Sequence, residues 1–227
     1  MNQDRPDRQR TYGRIRGRSL RPGRSLLLGE LLPKVALDLG DGRLDPGALR
    51  PEAREVWLEL GFGAGEHMAT QAQAHPDVLI LGAEPFINGA ASALRHVQDQ
   101  GLDNVRIHAG DGREVMTALP DASIDRVFIL FPDPWPKARH HKRRLINPET
   151  VAEFARLLKP DGRVRFATDW ADYVGWTLER FGDSPDFAWT ALRAQDWRSP
   201  PVDHATTRYQ CKRLGDCEPV FLEFSRL

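Results

Sequence analysis

EVWLELGFGAGE, from Glu55 to Glu66, is a short apolar run that stops at a glycine turn and opens into the helical pattern EHMATQAQA. A short apolar run bounded by glycines reads as a strand. Gly61, Gly63 and Gly65 allow a tight turn and let a ligand approach backbone N–H groups at the start of the helix. The same alternation continues outward. VLILGAE (78–84) predicts a strand, FINGAASALRHVQDQ (86–100) a helix and VRIHAG (105–110) a strand, which completes a βαβαβ unit. DRVFILF (125–131) predicts a buried strand, followed by a helix around Val151, Phe154 and Leu158, the strand RVRFAT (163–168), and a helix from about Ala171 to Phe181. The last strands are expected near Phe187 to Leu192 and Val220 to Phe224, separated by a long polar loop, 193–219. Near-continuous apolar strands fit a sheet covered by helices on both faces, so the chain is expected to be α/β, with one domain over residues 31–227.

The chain's 227 residues suffice for one such domain. No apolar run approaches bilayer length, so no membrane association and a cytoplasmic location are expected. Cys211 and Cys217 are too few for a disulfide framework and lack the partners of a metal site; free thiols and no metal are expected. The 32 basic and 32 acidic residues balance, but unevenly along the chain. Residues 1–24 hold eight arginines against Asp4 and Asp7, and Lys137, Arg139, Lys142, Arg143 and Arg144 add five cations. Everything else is acidic on balance. Two basic stretches on an acidic body suggest a polyanion partner. Residues 1–30, rich in Arg, Pro and Gly at their start, are expected to form a flexible basic arm.

The glycine turn is not the dinucleotide fingerprint, because G-x-G-x-x-G would need glycine at Glu66. Glu59 and Glu66 flank it, and two carboxylates repel a pyrophosphate but attract a ligand carrying an ammonium and a sulfonium. Glu84 ends the second strand, where an acid can accept both ribose hydroxyls, and Asp111 follows the third. In an open α/β sheet these positions share the carboxyl edge, where ligands bind. Glu59, Gly61, Gly63, Gly65, Glu84 and Asp111 together resemble the S-adenosylmethionine site of a class I methyltransferase, a Rossmann-like fold with a mostly parallel seven-stranded sheet. That resemblance gives Glu59 and the glycines to the methionine end, Glu84 to the ribose and Asp111 to the adenine amino group.

FPDPWPKARHHKRR, Phe131 to Arg144, follows the fourth strand. Asp133 lies between Pro132 and Pro134, so its backbone has little freedom and its carboxylate can be preorganised; Trp135 can stack on a base. With LELGFGAGEH, LKPDGRVRFATDWADY, TRYQCKRLG and the RTYGRIRGR arm, this segment is similar to the bacterial tRNA (guanine-N7-)-methyltransferases over most of residues 55–215. The resemblance implies an enzyme that makes 7-methylguanosine in the variable loop of tRNA, with S-adenosylmethionine as methyl donor and no obligate protein partner evident. It implies a catalytic and a cofactor-binding role for Asp133. Substrate contacts fall to Lys137, Asp169, Thr207, Arg208, Tyr209 and Gln210, and RNA contacts to Arg139, His140, His141, Lys142, Arg143 and Arg144. Gln210 departs from the glutamate usual in the family: it keeps an acceptor oxygen and loses the charge.

Two other classes predict different features. A nicotinamide-dependent oxidoreductase would share the sheet and the ribose acid, but not Glu59 beside this glycine spacing. A non-enzymatic RNA-binding module would not need acids at every expected strand end. Within methyltransferases, an enzyme for exocyclic amines would favour an Asn-Pro-Pro-aromatic turn, whereas the central residue here is an acid.

Overall fold

A computed structural model describes residues 13, 15, 17–40 and 42–227. Arg5, Arg8, Arg10, Arg14 and Arg16 of the expected arm lie outside the described residues. Among the described residues, three helices precede the sheet: α1 (Pro22–Glu30), α2 (Leu32–Val35) and α3 (Pro46–Leu49). The first half of the sheet region runs β1 (Glu55–Leu60), α4 (Glu66–Ala74), β2 (Val78–Ala83), α5 (Ile87–Gln100), β3 (Val105–His108) and α6 (Gly112–Ala118). The second half runs β4 (Ile124–Leu130), a 3-10 helix (Ala138–Arg143), α7 (Pro148–Leu157), β5 (Leu158–Thr168) and α8 (Ala171–Gly182). It ends with β6 (Phe187–Trp189), α9 (Gln195–Arg198), α10 (Arg208–Cys211) and β7 (Val220–Arg226).

The seven strands lie in the order β3-β2-β1-β4-β5-β7-β6. All neighbouring pairs are parallel except β5 with β7 and β7 with β6. Two half-sheets therefore diverge from β1 and β4, and the crevice at their carboxyl ends is where an open α/β sheet receives its ligand. Alternate side chains feed opposite layers. Leu58, Leu60, Leu81, Ile129 and Phe166 pack with Phe154, Tyr173 and Phe181 from α7 and α8. Trp57, Ile80, Phe128 and Phe221 pack on the other side with Met68, Leu94 and Val97 from α4 and α5. All six residues of β2 are buried, as its unbroken apolar run requires.

Two expectations change. The arm ends earlier than residue 30, because Pro22 occupies the first turn of α1 and Leu27 is buried with Leu94 and Val97 of α5. Leu28, Leu31 and Leu32 add to the same apolar cluster, and this stripe at helical spacing is the local reason the chain folds there. The long loop 193–219 is also not featureless: it contains α9 and α10, the latter capped by Thr207, whose hydroxyl accepts from the Gln210 N–H at 3.2 Å.

Gly65 shows why the turn needs glycine. It has φ of +84°, and a Cβ there would lie 2.6 Å from the Ala93 Cβ on α5. Gly65→Ala is expected to cost about 2 kcal/mol through strain and overpacking, measured as a lower denaturation midpoint at unchanged m-value. An unchanged midpoint would show that α4 and α5 separate freely.

Candidate active site

The acids predicted for strand ends do converge. Glu59 near the end of β1 is buried at 3% exposure, and its Oε2 lies 2.8 Å from His67 Nδ1 on α4. Glu84, just past β2, accepts the Gly63 N–H at one oxygen and the Phe86 N–H at the other, each at 2.8 Å. Burial raises the Glu84 pKa; those two N–H bonds oppose the shift, and the nearby Asp133 and Glu59 charges add to it. Asp111 caps α6 through Arg113 N–H at 3.0 Å and also holds the Arg113 guanidinium, so a ligand amino group there shares the carboxylate with Arg113.

A Cβ at Gly61 or Gly63 would meet no heavy atom within 4 Å. Open space over a glycine turn, bordered by two acids, is a cradle that fits a ligand with a cationic end and a vicinal diol. The donor set suits the amino-acid and ribose parts of S-adenosylmethionine.

Asp133 leaves β4 on a turn in which both Phe131 and Trp135 take positive φ, 53° and 45°. Backbone strain of this kind persists only where the surroundings enforce it. Phe131 N–H donates to Ala167 O on β5 at 2.7 Å. Asp133 is exposed as a residue, yet enough protein surrounds its carboxylate that desolvation raises its pKa. Tyr209 from the C-terminal segment faces the same place: its phenol pKa is raised by burial and by the Asp133 and Asp169 charges. Asp169, past β5, is 4% exposed and accepts the Gly215 N–H at 2.9 Å, which ties the C-terminal loop to the sheet edge. Gln210 Oε1 lies 2.8 Å from His204 Nε2, and Arg208 pairs with Glu66 in the first turn of α4. Thr207 to Gln210 are thereby brought to the glycine-turn side of the crevice.

The basic block divides. Lys137, Arg139 and Lys142 are exposed on or beside the 3-10 helix. Arg143 lies over Trp135 at 5.0 Å, and His140 meets the same ring edge-on. Burial and the surrounding cations lower the His140 pKa. His141 packs edge-on to Trp176, 3.4 Å from Asp172.

Arg144 corrects the expectation of six surface RNA contacts. Its side chain is 1% exposed; its Nε donates to Pro134 O at 2.9 Å and its guanidinium pairs with Asp172 on α8. The guanidinium also lies 4.7 Å from the Tyr173 ring and 5.1 Å from the Trp176 ring. Its planar fork suits such an enclosed site better than an ammonium would, and no phosphate can reach it. It holds the turn that carries Asp133.

Residue patterns gave no notice of His67, Gln71, Asp203 and His204. The one available signal was His67 and Gln71 at i, i+4 on the face of α4 that also carries Met68 and Ala72, where polar side chains have no reason to sit unless they bond. Among the described residues, no group of three or more His, Cys, Asp or Glu is placed to hold a metal, and no helix is long and apolar enough to cross a membrane.

A family model described as "Putative methyltransferase" matches residues 53–216. A tRNA (guanine-N(7)-)-methyltransferase of a Caulobacter species is 58% identical over 218 residues, covering 96% of this chain and 95% of its own length. The protein of the same name from Hyphomonas neptunium is 46% identical, covering 95% of this chain and 98% of that one. An rRNA methylase from Streptococcus thermophilus superposes with a TM-score of 0.52 at 11% identity, over 78% of this chain and 88% of that chain, a likeness of fold. With the sheet order, the acid-lined glycine cradle and relatives this similar along nearly the whole length, the chain belongs to the tRNA (guanine-N(7)-)-methyltransferase family.

Proposed function

We propose that this chain transfers the methyl group of S-adenosylmethionine to N7 of a guanosine in tRNA, in the variable loop as the family resemblance implies, and that it does so in the cytoplasm. The observation that carries the reading is the placement of Asp133: on a strained turn beside the Glu59 and Glu84 cradle, with exposed cations immediately after it. The cofactor supplies an electrophilic methyl on a sulfonium. Glu59 and the Gly61–Gly65 turn hold its methionine end, Glu84 its ribose and Asp111 its adenine.

Guanine N7 has an in-plane lone pair and no proton, so the attack needs no general base. What the chain contributes is alignment, which in the best intramolecular cases supplies about 7–11 kcal/mol. Positive charge appears on the purine as the methyl arrives, and the Asp133 carboxylate is preorganised to stabilise it. Asp169, Lys137 and residues 207–210 border the base on the C-terminal side. Gln210, its oxygen occupied by His204, presents amide hydrogens where the usual glutamate would present a charge.

Unmodified tRNA incubated with labelled S-adenosylmethionine should gain label that maps to 7-methylguanosine by chemical strand scission. Label on another base atom would overturn the substrate assignment. Lys137, Arg139, Lys142 and Arg143 are the block's candidates for phosphates. Lys142→Ala should flatten the slope of log affinity against log salt by about 0.7–0.9; an unchanged slope would remove Lys142 from the RNA surface.

A further inference from the structure

A chain of buried polar groups leads from the cofactor acid to the C-terminal segment. Glu59 Oε2 faces His67 Nδ1 at 2.8 Å, His67 Nε2 faces Gln71 Nε2 at 3.3 Å, and Gln71 Nε2 donates to Asp203 O at 2.5 Å. Glu59, His67 and Gln71 are 3%, 0% and 2% exposed.

The chemistry of these contacts sets every donor. A carbonyl oxygen only accepts, so the Gln71 amide must present its nitrogen to Asp203. That nitrogen's second hydrogen points to His67 Nε2, which is therefore the lone-pair nitrogen, and the ring proton is on Nδ1 facing Glu59. The hydrogen bonds thus run outward from the Gln71 amide, to Asp203 O on one side and through the His67 ring to Glu59 on the other. Gln71 Oε1 is buried without a partner.

The far end of the relay anchors the substrate segment. The Asp203 carboxylate pairs with Arg165 at 2.6 Å and Arg126 at 3.4 Å. The next residue, His204, holds Gln210, and Thr207 caps α10.

We propose that His67 and Gln71 are positioning residues that couple occupancy of the cofactor site at Glu59 to ordering of residues 203–211. A cation bound at Glu59 fixes the carboxylate rotamer, hence the His67 ring, hence the Gln71 amide and the backbone at Asp203. The proposal rests on the reading of Glu59 as a cofactor ligand and of 207–210 as substrate-binding.

The test is hydrogen exchange of the full chain with and without S-adenosylhomocysteine, with calorimetry to establish its binding. In the wild type, the ligand should slow exchange in 203–211 by about tenfold, within the usual range for coupled sites. In Gln71→Met the ligand should still bind, weakened by no more than that factor because coupling is reciprocal, and the added protection should vanish. Gln71→Glu, which keeps the shape and removes the amide donor, should behave alike and serves if the first variant does not fold. Protection retained in a folded variant, or absent from the ligand-bound wild type, overturns the coupling alone. Failure of the wild type to bind the ligand would overturn the cofactor reading and the coupling with it.

Discussion

Asp133→Ala is expected to lower kcat by about 10²–10³-fold, the range for removing one preorganised group that stabilises charge in a transition state. The KM for S-adenosylmethionine should change little, because Glu59, Glu84 and Asp111 remain. The split follows from position. Glu59 and Glu84 are buried around the glycine turn and already carry hydrogen bonds, whereas Asp133 is exposed as a residue and lies on the Tyr209 side of the crevice. Asp133→Asn tests the charge separately. It keeps shape and one acceptor, so it should still align the base but forfeit most of the stabilisation of the cationic purine. Single-turnover rates and calorimetric affinity for S-adenosylhomocysteine, measured on the same variants, check both. An equal loss in turnover and in cofactor affinity would make Asp133 a cofactor ligand.

Arg144→Leu should behave as a lesion of the reaction turn and not of the RNA surface. It removes the donor to Pro134 O and the clamp between Tyr173, Trp176 and Asp172. Asp172 is 62% exposed and regains water, so the cost stays below that of stranding a buried charge. About 2–3 kcal/mol is expected, or a fall in Tm of roughly 4–12 °C for a chain of this size. With the turn loosened, kcat should fall about 10–100-fold, since small misplacements of an aligned group are costly. Arg144→Lys should rescue poorly, because an ammonium cannot bond Pro134 O while stacking between two rings. The salt dependence of tRNA binding should keep its slope. A slope flattened by about 0.7–0.9 at unchanged Tm would return Arg144 to the phosphate-binding set.

The two predictions divide what can be read from local pattern and what cannot. EVWLELGFGAGE announced a strand, a glycine turn and a helix, and β1 and α4 occupy Glu55–Leu60 and Glu66–Ala74. The acids at strand ends were equally legible, because a parallel sheet sends every strand's carboxyl end to one edge whatever its other contacts. Apolar period and glycine placement are local properties, and they sufficed for β1 to β4, for the helices α4, α5 and α8, and for the edge on which Glu59, Glu84, Asp111, Asp133 and Asp169 meet; they misplaced one boundary, because Leu158, expected on the helix, opens β5, which runs from Leu158 to Thr168. The fate of each cation in KARHHKRR was not local. Arg139 and Lys142 are exposed while Arg144 is enclosed, and the difference is made by Asp172, Tyr173 and Trp176, roughly thirty residues further along, which α8 brings to the back of the turn. The link from Glu59 through His67 and Gln71 to Asp203 spans still more of the chain. Periodicity reports which face of an element is apolar; which buried polar atom finds which partner is settled only when distant segments pack, because an unpaired buried polar group costs the same wherever in the sequence its partner lies.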